Sequence, residues 1–113
     1  MHTKVHEVIK QLSAAFRKKF DDYKGLYLFG AYLDEMEHED EDIEIVALFE
    51  VEDRSKRGEI WPIIGQVETA NDVTIDLYPY TEEEFKKDEE LYQEVMETGR
   101  FYNPLGITKR SKV

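Results

Sequence analysis

The sequence predicts an α/β (α+β) domain in which a small mixed sheet of about three to four strands is flanked by helices. Two observations predict this class: short runs of branched and aromatic residues alternate with helical segments, and hydrophobic residues make up 41% of the 113 residues, enough for a core. Strands that alternate with helices are typical of a layered domain. The length fits one domain, residues 1–113, with residues 98–113 as a tail.

The first half of the chain predicts one helix and two strands. Residues 3–21 predict a helix because their apolar side chains recur at steps of three and four. Residues 26–29 form an apolar run that predicts a buried strand, and Gly30 stops it. Residues 31–41 are mostly acidic and are expected to form a short helix and a loop. Residues 42–51, rich in Ile, Val and Phe, predict a second strand.

The next segments predict a helix and a third strand. Residues 52–69 have a helical pattern, and Pro62 within them indicates a kink or a late start. Residues 73–78 alternate between apolar and polar positions, which is typical of a strand. Pro79 is expected to close that strand.

The C-terminal part predicts a last helix followed by the tail. Thr81, with Glu84 three residues later, resembles a capping box that opens a helix through about residue 97. Gly99 is a suitable stop for that helix. The tail carries apolar side chains that are possible anchors, Phe101, Tyr102 and Leu105.

The charge of the chain narrows the classes of partner. Fifteen basic residues oppose 26 acidic ones, for a net charge of −11. Such a field repels nucleic-acid backbones and anionic membranes, so direct nucleic-acid binding is not expected. The absence of cysteine excludes disulfides and thiolate metal sites. With no signal-peptide pattern and no apolar run near the ~20 residues of a membrane span, we expect a cytoplasmic protein without a membrane partner.

Three carboxylates have a spacing that suits metal binding. Asp42 and Glu44 are two apart on a predicted strand, so they share a face. Asp76 lies on the third predicted strand, and if the two strands are neighbours all three side chains converge. Convergent carboxylates suit Mg²⁺, and two such ions about 3.5–4 Å apart serve phosphoryl chemistry. The alternative is that each carboxylate belongs to an ordinary solvated face.

The order of these motifs resembles that of a known family. Residues 26–31, a ten-residue spacer and residues 42–46 together are similar to the motif of minimal nucleotidyltransferases. These are MNT-type, antitoxin-like members of the DNA polymerase β nucleotidyltransferase superfamily. The family carries an apolar strand, Gly-Ser, a spacer and Asp-x-Asp on the next strand. Its third carboxylate falls on a later strand, where Asp76 matches it.

The resemblance implies the nucleotidyltransferase fold and a Mg²⁺- or Mn²⁺-dependent transfer of a nucleoside monophosphate from a nucleoside triphosphate to a hydroxyl. Asp42 and Glu44 would hold both metal ions, and Asp76 would hold one and help to activate the acceptor. Gly30 and Ala31 would bind the nucleotide, because glycine lets the backbone approach the phosphates closely. Small members of the family often act as antitoxins beside a helical toxin partner, some by adding AMP to it.

Three departures from the family motif predict a weakened transferase. Ala31 replaces the serine whose hydrogen bond to a charged phosphate is worth about 1.5–3 kcal/mol. Glu44 replaces an aspartate and extends the carboxylate by one bond. Six of the ten spacer residues 32–41 are acidic and none is Lys or Arg. Two alternatives therefore stay open: a catalytically impaired member that acts as a regulatory or antitoxin-like partner, and an acidic protein-interaction module.

A basic cluster follows the second predicted strand. Arg54, Lys56 and Arg57 are the candidates for a displaced phosphate contact. The alternative interpretation is that they form the solvated start of a helix.

Overall fold

The computed structural model describes residues 3–30 and 42–108. In chain order the elements are α1 (Thr3–Lys19), β1 (Tyr23–Phe29), β2 (Ile43–Phe49), α2 (Arg54–Asn71), β3 (Ile75–Tyr80), α3 (Glu82–Lys87), α4 (Glu89–Thr98) and β4 (Arg100–Tyr102). The predicted class is confirmed, since the strands form one mixed four-stranded sheet with the order β3-β2-β1-β4.

The sheet combines two kinds of strand pairing. β1 is antiparallel to both β2 and β4, whereas β2 and β3 are parallel. A parallel pair needs a long crossover, because the chain must return to the same end of the sheet. Helix α2 provides that crossover. It packs beside α1 and brings β3 next to β2.

Each face of the sheet has its own apolar cluster. The larger cluster contains side chains of α1, α2 and the inward positions of all four strands, among them Val8, Ile9, Leu12, Phe16, Ile45 and Ile60. The smaller cluster lies on the other face, where α3 and α4 meet the sheet, and contains Phe29, Val46, Leu48, Phe85 and Val95. Burial of each large apolar side chain stabilises the fold by roughly 1.5–3 kcal/mol.

Helix α1 covers the larger cluster along the stripe that the sequence predicts. Phe16 is fully buried, and three basic residues lie in the last turn, where cations complement the helix dipole. Next to the stripe, the buried hydroxyls of Ser13 and Tyr23 lie 3.1 Å apart and share a hydrogen bond. Across residues 3–30 and 42–108, no helix is both long and apolar enough to cross a membrane.

Two prolines lie inside elements rather than at their ends. Pro79 was expected to close the third strand, but it lies within β3 as the register partner of Ala47. β3 is an edge strand, and an edge position tolerates proline because its outward side needs no ladder donor. Pro62 likewise lies within α2, which begins well before it at Arg54.

The C-terminal part contains more structure than the sequence predicts. The capping box of Thr81 and Glu84 is confirmed, but the helix breaks at Asp88 into α3 and α4. The segment predicted as a tail includes β4, in which Tyr102 pairs with Leu26 of β1. Tyr102 is 1% exposed, so it anchors this segment in the larger cluster.

Candidate active site

Glu44 and Asp76 are direct partners across the parallel β2–β3 pair. Register partners point to the same face of a sheet, while their neighbours along each strand point to the other face. Ile43 and Ile45 are fully buried in the larger cluster, which places Glu44 on the opposite face. Ile75 is buried in the larger cluster, so Asp76, its neighbour along β3, also lies on the opposite face. The strand alternation therefore brings these two carboxylates together on the face of the smaller cluster.

Asp42 lies one residue before β2 and is exposed. The N–H of Ile43 donates a 2.8 Å hydrogen bond to the carbonyl of Thr74, so pairing with the β3 side continues up to this point. In the described part of the chain, no group of three or more His, Cys, Asp or Glu side chains is arranged to hold a metal ion. The structure thus pairs Glu44 with Asp76 and leaves Asp42 at the exposed start of the strand.

Gly30 follows β1 immediately and lies against Glu44. Its φ is +86°, in the region that favours glycine. A Cβ at this position would lie 2.1 Å from Oε2 of Glu44 and 2.8 Å from its Cδ. The carboxylate of Glu44 therefore occupies the space that a side chain at residue 30 would need. Ala31 and the acidic spacer lie outside the described residues.

Tyr78 is a site residue that the sequence motif does not identify. Its hydroxyl lies 3.5 Å from Oδ2 of Asp76. Partial burial, and then the negative charges of Asp76 and Glu44, raise the pKa of Tyr78. The two-residue spacing from Asp76 along a strand is the signal that places its side chain on this face.

A cleft of about 390 Å³ opens beside this residue at the outer edge of β3. Tyr78 and Tyr80 line it from the strand, and Trp61, which is 48% exposed, lines it from α2. The hydroxyl of Tyr80 donates a 2.7 Å hydrogen bond to Asp88. Burial, and then this bond and the charge of Asp88, raise the pKa of Tyr80 to about 12. The volume lies within the range of small-molecule pockets.

The basic cluster after β2 is engaged in local contacts. Lys56 donates to the carboxylate of Asp22, and its side chain is only 12% exposed. Arg57 makes an ion pair with Glu52, whose side chain is 2% exposed. For Lys56 and Arg57 these contacts support the interpretation of a helix start, and Arg57 also lines the cleft beside Tyr78.

The donor set of the pair suits a hard cation. Mg²⁺ usually keeps several of its waters and takes one or two carboxylates from the protein, so it does not need a closed cage of side chains. Glu44 and Asp76 supply two adjacent carboxylates on neighbouring strands. Asp42, two residues before Glu44, is close to the pair along the chain but, among the described residues, is not grouped with it in the structure.

The fold is similar to that of chains in solved toxin–antitoxin structures. A mutant of the toxin–antitoxin MntA-HpeT superposes with a TM-score of 0.61 at 23% identity, covering 82% of this chain and 70% of that one. A toxin–antitoxin with AMP-PNP also gives 0.61 at 24% identity, covering 85% and 70%. The complex of tri-AMPylated Shewanella oneidensis HEPN toxin with MNT antitoxin gives 0.54 at 21% identity, covering 85% and 70%.

Sequence comparison gives the family directly. No curated protein matches the chain. Residues 9–102 match the nucleotidyltransferase domain family, and this span contains Gly30, both paired carboxylates and all four strands. The protein therefore belongs to the nucleotidyltransferase domain family.

Proposed function

We propose that this protein is a minimal nucleotidyltransferase of the antitoxin type, which transfers a nucleoside monophosphate from a nucleoside triphosphate to a hydroxyl of a partner protein. The observation that carries the proposal is the register pairing of Glu44 with Asp76 beside Gly30. It provides two carboxylates on neighbouring strands, which are oxygen ligands of the kind that a divalent metal ion prefers, next to the glycine of the family motif.

The carboxylates are the proposed catalytic and metal-binding groups. Asp42 and Glu44 would hold Mg²⁺ or Mn²⁺ together with Asp76. Bound divalent ions neutralise the triphosphate charge and stabilise the leaving oxygen in phosphoryl transfer. Glu44 and Asp76 orient those ligand oxygens because their strands are fixed by buried neighbours on the other face.

The order of the strands supports a placement of the nucleotide and the acceptor on opposite sides of β2. Gly30 ends β1 on one side of β2, and Asp76 lies in β3 on the other side. A triphosphate bound at Gly30 would lie on the β1 side of β2, and the β3 side would stay open to the acceptor hydroxyl. Asp76 is the proposed group that accepts the proton of the acceptor hydroxyl, since it is the carboxylate nearer the open edge.

Charge and fold comparison support a protein acceptor. A net charge of −11 repels a polyanion, so a nucleic-acid acceptor would meet an unfavourable field. The similar solved structures are toxin–antitoxin complexes, one with AMP-PNP and one containing a tri-AMPylated HEPN toxin. The proposed partner is accordingly a helical toxin protein.

A second candidate function is a partner-binding antitoxin without transfer activity. One observation favours it. Oε2 of Glu44 lies 2.1 Å from the position that a Cβ on Gly30 would take, so this carboxylate occupies the space through which a phosphate would approach the backbone. The glutamate side chain is one bond longer than the aspartate of the family motif, so an aspartate would hold its carboxylate further from Gly30. Substitution with the shorter residue separates the two candidates.

The experiment combines binding and transfer. Calorimetry should show Mg²⁺-dependent binding of a nucleoside triphosphate, which Glu44→Gln abolishes. The matched control is Glu50→Gln, an exposed residue just beyond the other end of β2. Incubation with α-labelled nucleotide and a HEPN toxin should label the toxin. Label transfer by Glu44→Asp but not by the wild type would support the second candidate. Failure of both the wild type and Glu44→Asp to bind a nucleoside triphosphate would refute the first.

A further inference from the structure

The hydroxyl of Tyr78 contacts the carboxylate of Asp76. We propose that this protein transfers a nucleoside monophosphate to its own Tyr78, an inference that rests on the proposed function. The hydroxyl is 3.5 Å from Oδ2 of Asp76, the group proposed to accept the acceptor proton. Tyr78 is on the same sheet face as Glu44, so the reacting groups share one surface.

The other described tyrosines of that face make different contacts. Tyr80 is hydrogen-bonded to Asp88. The rings of Tyr27 and Tyr92 pack against Phe85, with centroid distances of 5.6 Å and 4.9 Å. Among the described tyrosines of this face, Tyr78 is therefore the one whose hydroxyl has a hydrogen-bond contact with Asp76.

Two further tyrosines lie away from this surface. Tyr23 is buried in the larger cluster, and its hydroxyl shares a hydrogen bond with Ser13. Tyr102 is 1% exposed in that same cluster. Both are separated from the carboxylate pair by the sheet itself.

The step balances without an additional reagent. The phenolic oxygen of Tyr78 attacks the α-phosphorus of the nucleoside triphosphate and forms a phosphoester bond. The bond from the α-phosphorus to the bridging oxygen breaks, and its electron pair leaves with pyrophosphate. The phenolic proton passes to the carboxylate of Asp76, which later returns it to water.

The cleft at the edge of β3 has room for the product. Tyr78 lines this cleft of about 390 Å³, which is open to solvent at the sheet edge. Trp61, which is 48% exposed, also lines the cleft and offers an aromatic surface to a base. Base–aromatic stacking contributes about 1–3 kcal/mol. A nucleotidylated Tyr78 would place its phosphate beside Asp76 and block access of a second acceptor, so the modification limits further transfer.

The test uses the full chain alone with α-labelled nucleoside triphosphate and Mg²⁺ or Mn²⁺. Intact mass should increase by one nucleoside monophosphate, and peptide fragmentation should place the addition on Tyr78. Tyr78→Phe should lose the label, and Asp76→Asn should lose it while the far-ultraviolet circular dichroism stays unchanged. The matched control, Tyr92→Phe, removes a tyrosine hydroxyl on the same face of the sheet but outside the residues that line the cleft, and it should keep the label.

The outcomes separate this inference from the proposed function. A label on another residue, or an unlabelled chain that transfers to a HEPN toxin, would overturn self-modification and leave the transferase intact. An unlabelled chain that binds nucleotide and labels nothing would overturn self-modification and support the partner-binding antitoxin. A chain that binds no nucleotide would overturn both proposals.

Discussion

A Cβ on Gly30 would lie 2.1 Å from Oε2 of Glu44, so the Glu44 carboxylate fills the space that a side chain at residue 30 would need. A side chain at residue 30 would displace the glutamate from its position beside Asp76. The positive φ of Gly30, +86°, adds a backbone penalty for any other residue. Fold and site thus impose the same requirement at this position.

We expect Gly30→Ala to weaken Mg²⁺-dependent nucleotide binding and to lower the free energy of unfolding by about 1–3 kcal/mol, because the backbone is strained and Glu44 must move. The control is Gly58→Ala in α2, where a Cβ would meet nothing within 4 Å. That change should raise stability by about 0.5–1 kcal/mol. Calorimetry and urea unfolding measure both. Equal changes in nucleotide binding and in the free energy of unfolding for the two variants would contradict this close contact between Gly30 and Glu44.

The first part of the site was predictable because strand alternation is a local property. The spacing of Asp42 and Glu44 predicts a shared face, and the apolar neighbours of Asp76 predict its strand. Their pairing across β2 and β3 depended on an assumed adjacency, which the parallel register of Glu44 with Asp76 confirms for those two residues. Asp42 lies outside the strand, at an exposed position that the alternation rule does not fix.

The sequence pattern does not predict the features that depend on tertiary context. Pro79 is a strand breaker by composition, yet an edge position tolerates it. Residues 100–102 are too short to show a strand period, and only pairing with β1 makes them a strand. The proposed role of Tyr78 rests on the distance between its hydroxyl and the carboxylate of Asp76, which no sequence pattern contains.

Lys56 is expected to stabilise the end of β2 through Asp22. Its ammonium donates to that carboxylate and lies 4.7 Å from the ring centroid of Phe49. Lys56→Met should lower the free energy of unfolding by about 1–3 kcal/mol, because it leaves a partly buried carboxylate without its cation. Lys18→Met, at an exposed position of α1, is the control and should change little.

The same contact predicts an acid dependence. Burial of Asp22 opposes ionisation, but the hydrogen bonds from Lys56 and from the N–H of Val51 outweigh it and lower its pKa below 3.8. A lowered pKa contributes stability that is present above the unfolded value and lost as the pH falls through the folded value. The difference between wild type and Lys56→Met should therefore shrink below pH 3.8 in urea unfolding. A constant difference would refute this linkage.

Tyr23 predicts a loss of stability in alkali. Burial raises the pKa of Tyr23 to about 12, although the hydrogen bond with Ser13 and the charge of Arg17 oppose this. In the unfolded chain the hydroxyl of Tyr23 ionises near pH 10. Its contribution to the free energy of unfolding is therefore complete below that pH and disappears between about pH 10 and 12. The maximum loss is roughly 2–3 kcal/mol. Tyr23→Phe should show a smaller decrease across this range in urea unfolding, and an unchanged slope would count against it.

The capping box should account for the stability of the α3 start. The hydroxyl of Thr81 accepts from the N–H of Glu84 at 3.1 Å, and the Glu84 carboxylate accepts from the N–H of Thr81 at 3.0 Å. Thr81→Ala should cost about 1 kcal/mol. Thr69→Ala, exposed within α2, should be neutral or slightly stabilising because alanine favours helices. Thermal unfolding compares the two, and similar shifts would argue against the cap.

The parallel pairing of β2 and β3 has a consequence for the order in which the site is assembled. Gly30 and Glu44 meet through the antiparallel β1–β2 pair, whereas Asp76 reaches Glu44 only after α2 has folded back across the sheet. Closing this longer loop has the larger entropic cost. A nascent or partly unfolded chain would therefore hold one carboxylate without the other. Under the proposed function, nucleotide transfer would require the completed crossover, and a chain that has not finished folding would be inactive.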